Sequence, residues 1–234
     1  MDLTNLESFL IDYPKACENL VSKVYQTKII ENPCPHFFIN DWLPDFWATG
    51  LIKSIPPQNI FTSVEGGGSI LDSKDAFGYQ WCLYFSLIQK ILWQQLPRFS
   101  SWFNDIKYQV DETFYGNSWE IKSEPNVICL TNPLIGVPPH TDGESSILTA
   151  ITVLGYPDFT PAPVTNFYSE NPPVEPVTFY PPSRNSLLIF LNRSGFSKHG
   201  VIEEIKPNRI THIAGVSATK IEDPVSNLFI PTKT

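Results

Sequence analysis

The sequence predicts a mainly β domain with added helices: a double-stranded β-helix, the jelly-roll or cupin-like sandwich, buttressed by an N-terminal helical layer. Three observations predict it. From Trp119 onward, short apolar runs are separated by turn residues, whereas the chain before it carries helical periodicity. Eight of the 22 prolines fall between Pro157 and Pro182; proline is confined to strand starts, edges and turns, so this stretch reads as loops joining strands. His140 and Asp142 have the residue types of a metal-ligand pair, and the next such residue, His199, comes 57 residues after Asp142, which requires the chain to fold back beside its earlier strand. At 234 residues the chain suits one domain with a sizeable core. The expected division is a mostly helical layer over 1–118 and a jelly-roll core with the metal site over 119–220.

Taken in order, Thr4-x-x-Glu7 has the form of a capping box opening a helix with Leu6, Phe9, Leu10 and Tyr13 on one face. Pro14 starts a second helix that carries Cys17, Val21 and Val24. A strand over His36–Ile39 precedes a helix over Pro44–Ile55 with Phe46, Trp47 and Leu51 inward. Glu65-Gly66-Gly67-Gly68-Ser69 is too short and lacks the lysine of a phosphate loop, so a flexible loop is expected there. Tyr79–Leu96 reads as a long helix, apolar at Leu83, Leu87 and Ile91 and stopped by Pro97. The later strands are expected at Ile147–Leu154, Val164–Tyr168, Val177–Tyr180, Leu187–Leu191 and Arg209–Val216.

Composition narrows the function. Hydrophobic residues at 42% and aromatics at 13% exclude a disordered chain. A net charge of −8, a pI near 5.0 and the lack of any basic run argue against nucleic acid as a partner. Met1-Asp2-Leu3-Thr4 lacks the basic start and apolar stretch of a signal peptide, so no membrane partner and a cytoplasmic location are expected. Cys17, Cys34, Cys82 and Cys129 show no CxxC spacing and read as reduced core thiols. Nothing in the sequence fixes an oligomeric state.

Two imidazoles and one carboxylate on one face of a metal leave the opposite positions open, the arrangement suited to non-haem Fe(II) oxygenases. His140 and Asp142 can share a metal only in an extended segment, because residues two apart on a helix point in nearly opposite directions. Pro138-Pro139 forbids a helix there. Arg209 follows His199 by ten residues, and alternation puts Arg209, Thr211 and Ile213 on one strand face with Ile210, His212 and Ala214 on the other. An inward arginine beside a metal requires an anion, and a carboxylate matches its planar fork. Taken alone, a His-x-Asp pair is more often a surface pair, a lone arginine a structural ion pair, and a threonine an ordinary strand residue. His212 and His36 read as structural, and Arg193 as a solvated loop residue.

These residues together resemble the Fe(II)/2-oxoglutarate-dependent dioxygenases, in the prolyl-4-hydroxylase-like branch. Pro181-Pro182, Ser186-Leu187-Leu188-Ile189-Phe190, Asn192-Arg193 and His199-Gly200-Val201 are similar to the family's approach to its distal histidine. Pro33-Cys34-Pro35-His36-Phe37-Phe38-Ile39 with Trp42-Leu43-Pro44 resembles its opening strand and helix. The resemblance implies that His140, Asp142 and His199 bind Fe(II) and are the catalytic centre. It implies that Arg209, with Thr211, holds the far carboxylate of the cosubstrate 2-oxoglutarate. One departure stands out: many relatives place a tyrosine contact to 2-oxoglutarate upstream of His-x-Asp, where this chain reads Cys129-Leu130-Thr131-Asn132, leaving that contact unassigned.

The activity so implied consumes O2 and 2-oxoglutarate, releases succinate and CO2 and hydroxylates an unactivated C–H bond; desaturation and cyclisation use the same machinery, and ascorbate is an auxiliary reductant left open. The presence of Asp142 disfavours halogenation, whose catalysts lack that carboxylate. A small-molecule substrate, an amino acid or a biosynthetic intermediate, is expected, with Trp81, Trp119, Phe167 and Arg193 as pocket candidates. Peptidyl proline is the alternative substrate. A non-catalytic metal-binding jelly-roll sensor and an iron enzyme without 2-oxoglutarate are the alternative functions.

Overall fold

The computed structural model describes residues 13–64, 68–72, 78–99, 102, 119–131, 137–143, 145–169, 171, 174–192, 197–201 and 208–220. Among them run three α-helices, α1 (Tyr13–Gln26), α2 (Asp45–Lys53) and α3 (Tyr79–Gln95). The strands are β1 (His36–Asn40), β2 (Thr62–Val64), β3 (Gly68–Asp72), β4 (Trp119–Ser123), β5 (Val127–Thr131), β6 (Val137–His140), β7 (Ser146–Gly155), β8 (Asn166–Phe167), β9 (Ser186–Leu191), β10 (His199–Val201) and β11 (Arg209–Lys220). They form two antiparallel sheets. The large one runs β1-β9-β7-β11-β5-β3-β2, with β4 also paired to β11; the small one runs β6-β10-β8. This is the jelly-roll core expected, with helices on the outer face of the large sheet.

The centre of the large sheet is buried on both faces, which explains the near-continuous apolar runs Ile147–Leu154 and Leu187–Leu191. Alternation divides each run between two cores. Leu148, Ala150 and Leu154 of β7, Leu187, Ile189 and Leu191 of β9, and Ile210, Ala214 and Val216 of β11 face the helices. Ile151 and Val153, Leu188 and Phe190, with Ile213 packed against them, face the small sheet. On the helix side α3 lies across β7 and β11, burying Trp81, Tyr84, Leu87, Ile88 and Ile91, and α1 and α2 pack on α3. Trp42, Trp47 and Trp81 are fully buried there; each removes roughly 150–250 Å² from water, so this layer carries a large part of the apolar stabilisation.

Pro44 occupies the position before the first turn of α2, and the helical course of α3 tightens into a 3-10 turn at Leu96–Phe99, where Pro97 lacks the N–H to continue. Several expectations change. Val177–Tyr180 is not a strand. Prolines at 176, 181 and 182 remove ladder donors, and Val177 and Phe179 are exposed; the segment is tied to β8 by Val177 N–H to the Phe167 carbonyl and Phe167 N–H to the Thr178 hydroxyl. The strand expected at Val164–Tyr168 shortens to Asn166–Phe167. Gly68 and Ser69 belong to β3, which hairpins with β2, rather than to a loop; Glu65–Gly67 lie outside the described residues, as does the capping box at Thr4 and Glu7. Cys82 is exposed on α3, whereas Cys17 and Cys34 are buried, and none of the four cysteines is in a disulfide. No helix among the described residues is long and apolar enough to cross a membrane.

Candidate metal centre

The small sheet brings the two histidines together. β10 runs antiparallel to β6 with His199 directly opposite His140, and their rings lie 4.5 Å apart between centroids. Gly200 permits this close approach. A Cβ there would sit 2.6 Å from the Val137 carbonyl oxygen and 2.9 Å from the Pro139 nitrogen, nearer than a side chain tolerates. β6 ends at His140, so Asp142 is not on the strand; it lies in the short turn that follows, closed by Ser146 N–H on the Gly143 carbonyl. The three candidate ligands are therefore brought together across a strand end rather than along one extended face.

The tautomers follow from the hydrogen bonds. His199 Nδ1 lies 2.9 Å from the Ser197 carbonyl oxygen and His140 Nδ1 2.9 Å from the Pro138 carbonyl oxygen. A carbonyl only accepts, so in each neutral ring Nδ1 carries the proton and Nε2 keeps its lone pair. Both lone-pair nitrogens face the same carboxylate oxygen: Asp142 Oδ1 is 3.7 Å from His199 Nε2 and 4.0 Å from His140 Nε2. All three ligand atoms lie within 4.8 Å of one another, so only small side-chain adjustments separate them from a common cation at bonds of about 2 Å. Burial lowers the His199 pKa, against the opposing pull of Asp142; this favours the neutral ligand form. Exposure differs across the trio, with side chains at 47% for His140, 24% for Asp142 and 4% for His199, so the centre is reached from the His140 side.

Phe190 of β9 packs on the His199 ring at 4.7 Å, and Phe167 of β8 packs on Phe190 at 5.3 Å. Phe167, a pocket candidate, thus borders the centre. Trp81 does not: it is buried on the helix side of the large sheet against Tyr84 and Phe85. Trp119 opens β4 opposite Lys220, at the end of β11 far from its Arg209 end, and Arg193 lies outside the described residues.

Arg209 and Thr211 are buried on the face of β11 that looks toward the small sheet, in line with Ile213. Arg209 Nε donates to the Pro163 carbonyl at 2.8 Å, which anchors the guanidinium under the proline-rich segment. In register, Thr131 lies opposite Arg209 and Cys129 opposite Thr211. Burial pushes the Cys129 thiol up to about 11, partly offset by the Arg209 charge and a hydrogen bond with Thr211. A neutral thiol therefore occupies this part of the arginine's surroundings.

The two remaining histidines are structural. His212 points the other way, toward α3, with Nδ1 3.0 Å from Tyr84 Oη and Nε2 3.0 Å from Asn126 Oδ1; burial drops its pKa to about 3. His36 is held by the Cys34 carbonyl and by Tyr180 Oη at 2.6 Å, and burial lowers its pKa.

No protein-family model and no curated protein sequence matches this chain. Solved structures do. A prolyl hydroxylase from Trichoplax adhaerens, solved with a hypoxia-inducible-factor oxygen-degradation-domain peptide, matches with a TM-score of 0.50 and 13% identity over 88% of this chain and 92% of that one. This chain has the prolyl-hydroxylase fold. A viral collagen prolyl hydroxylase from Paramecium bursaria Chlorella virus-1, in its 2OG complex, is 13% identical over 79% of this chain and 96% of that one, with a TM-score of 0.45. A 2OG-Fe(II) oxygenase family member from Burkholderia pseudomallei is 9% identical over 86% and 89%, with a TM-score of 0.42. The described residues supply two imidazole lone pairs and a carboxylate converging on one point, a donor set that could hold a metal ion.

Sequence reasoning assigned the residues behind Asp142 no role at the site, although Asn192 belongs to the family-like stretch before His199. Thr149 of β7 and Asn192, just past β9, form a hydrogen-bonded row that ends on its second oxygen. For Thr149 the signal was a threonine at an inward position of an otherwise apolar strand, which on sequence alone is an ordinary strand residue.

Proposed function

We propose that this chain is an Fe(II)- and 2-oxoglutarate-dependent oxygenase that hydroxylates an unactivated C–H bond, with His140, Asp142 and His199 as the iron ligands. The observation that carries the reading is the convergence of both Nε2 lone pairs on Asp142 Oδ1 with each Nδ1 proton committed to a carbonyl. That donor set suits Fe(II) and leaves coordination positions open. Bound Fe(II) would supply the redox chemistry that couples O2 and 2-oxoglutarate to substrate oxidation. The protein's own residues hold the ligands in one tautomer, shield the His199 side with Phe190 and Phe167, and leave the His140 side open for entry.

Arg209, with Thr211, is the residue we assign to the far carboxylate of 2-oxoglutarate. Its support is its burial on the site-facing side of β11, where its planar guanidinium is held by the Nε–H bond to the Pro163 carbonyl and matches a carboxylate. The substrate we favour is a small molecule, an amino acid or biosynthetic intermediate. A peptidyl proline is the second reading, favoured by the likeness of fold to a prolyl hydroxylase solved in complex with a peptide.

The deciding experiment measures succinate formed from 2-oxoglutarate by the purified chain with Fe(II), with and without EDTA. Slow succinate release that EDTA stops and Fe(II) restores is expected even before a substrate is found. Metal binding without succinate points instead to a metal-binding sensor. Subsequent screening of free amino acids against proline-containing peptides, read as stimulation of succinate release, separates the two substrate classes.

A further inference from the structure

We propose that Thr149 and Asn192 are positioning residues of the metal centre: they tie one oxygen of Asp142 down so that the other alone is offered to the cation. The inference rests on the metal-centre reading above and extends it to residues that touch no metal.

Proton counting carries the argument. Thr149 Oγ1 is 2.6 Å from Asp142 Oδ2. A carboxylate only accepts, so the proton in that bond is the threonine's. A hydroxyl has one proton, hence its 2.6 Å contact with Asn192 must be one in which Thr149 accepts, and the Asn192 Nδ2 group faces it. The second Nδ2 proton goes to Ser146 Oγ at 2.8 Å. Ser146 in turn hydrogen-bonds the carboxylate of Glu124, in the turn between β4 and β5. One amide thus serves two hydroxyls, and each hydroxyl passes its own proton to a carboxylate, Asp142 on one side and Glu124 on the other. Every donor in the row has a defined direction, and reversing the amide would leave Thr149 with nothing to give Asp142.

The row is also fixed in space. Asn192 is mostly buried and its N–H donates to the Ile147 carbonyl, clamping the end of β9 to the start of β7. Gly215 of β11 leaves room for the Glu124 carboxylate, since a Cβ there would collide with it. The row links β7, the end of β9 and the turn between β4 and β5 to a ligand held in the turn after β6. Without it, Asp142 could rotate and present both oxygens, filling a position that a second chelating molecule would need. Hydrogen bonds of this kind to metal ligands are worth about 10–100-fold in affinity.

The test is Co(II) titration of the full chain, read by its visible d–d absorption, for wild type, Thr149→Val, Thr149→Ser and Asn192→Asp, with the melting temperature of each metal-free chain. Thr149→Val keeps shape and removes the proton; about 10–100-fold weaker Co(II) binding is expected, with a weaker d–d band as the carboxylate becomes bidentate. Thr149→Ser restores both, and Asn192→Asp moves both in the direction of Thr149→Val. Wild-type affinity and band shape in Thr149→Val overturn the proposal, as does a lowered metal-free melting temperature accompanied by an unchanged band. If wild type itself binds no Co(II), the metal-centre reading fails first, and that outcome is distinguishable from failure of the brace because the histidine variants would then match wild type.

Discussion

His199 and His212 are both buried histidines on strands, and the large sheet separates them. His212 looks toward α3, where Tyr84 and Asn126 occupy both its ring nitrogens. His199 looks toward the small sheet, where Ser197 occupies one nitrogen and the other is left aimed at Asp142. β7 repeats the contrast with its threonines. Thr152 meets Tyr84 Oη at 2.7 Å on the helix side, and Thr149 meets Asp142 on the other. Both networks are buried and hydrogen-bonded, as buried polar groups must be. They differ in closure. The helix-side network satisfies its members among themselves and therefore contributes stability and uniqueness of packing. The site-side network ends in lone pairs that share one point, which is useful only if something binds there.

The comparison breaks most sharply at the ligands. His140→Ala, Asp142→Ala and His199→Ala are each expected to abolish succinate formation and to remove measurable Fe(II) or Mn(II) binding in anaerobic calorimetry, because two remaining ligands hold a labile divalent ion poorly. Wild-type affinity in any one of them takes that residue out of the centre. Zinc is expected to inhibit by filling the site without redox chemistry.

Arg209→Ala comes next. It is expected to raise the 2-oxoglutarate requirement while leaving metal affinity nearly intact. A buried charge-assisted contact is worth roughly 1.5–3 kcal/mol, which corresponds to about tenfold to somewhat over a hundredfold. Arg209→Lys recovers only part, since an ammonium lacks the planar fork. The 2-oxoglutarate charge-transfer band of the anaerobic Fe(II) complex reads the affinity. An unchanged value in Arg209→Ala would remove the cosubstrate assignment and favour an iron enzyme that works without it.

His212 supplies the opposite signature, stability without metal affinity. His212→Ala takes one of two partners from the Tyr84 hydroxyl, removes the ring that meets Asn126 Oδ1 and opens a cavity, so a loss of about 2–4 kcal/mol in denaturant unfolding is expected with Co(II) affinity unchanged. Its pH dependence has a defined sign. The folded ring resists protonation down to about 3, whereas an unfolded histidine titrates near 6.5. The unfolded state therefore binds more protons between those values. Stability from this group is complete above the unfolded pKa and is lost as pH falls from about 6.5 toward 3. In the histidine-free variant at 212 that part of the acid slope should disappear; an unchanged slope would show that other groups set the acid limit.

The smallest effect belongs to Thr211. Thr211→Val removes one neutral hydrogen bond and keeps the shape, so severalfold weaker 2-oxoglutarate binding at most is expected from the same charge-transfer titration. A loss as large as that of Arg209→Ala would make the threonine a principal contact.

Much of this was legible in the residues. The 3.6-residue periodicity of α3, the apolar runs of β7 and β9 and the alternation of β11 report local geometry, because side-chain direction follows from backbone period alone. That alternation placed Arg209 and Thr211 on one face and His212 on the other, and the structure agrees. Val177–Tyr180 read as a strand because its composition is right. The flanking prolines were visible in the sequence, but its hydrogen bonds to β8 were not, since no local pattern contains them.

By itself, the sequence determined which residues have metal-ligand chemistry, that Pro138-Pro139 keeps the first histidine out of a helix, and which strand face carries the arginine. Only the tertiary structure decided that His140 and His199 stand opposite each other, that Asp142 reaches them from a turn rather than along the strand, and that Thr149 and Asn192 stand behind it. The physical reason is range. Periodicity and backbone sterics act over a few residues, whereas a chelate and its hydrogen-bonded support depend on strand register and on proton directions fixed between segments tens of residues apart.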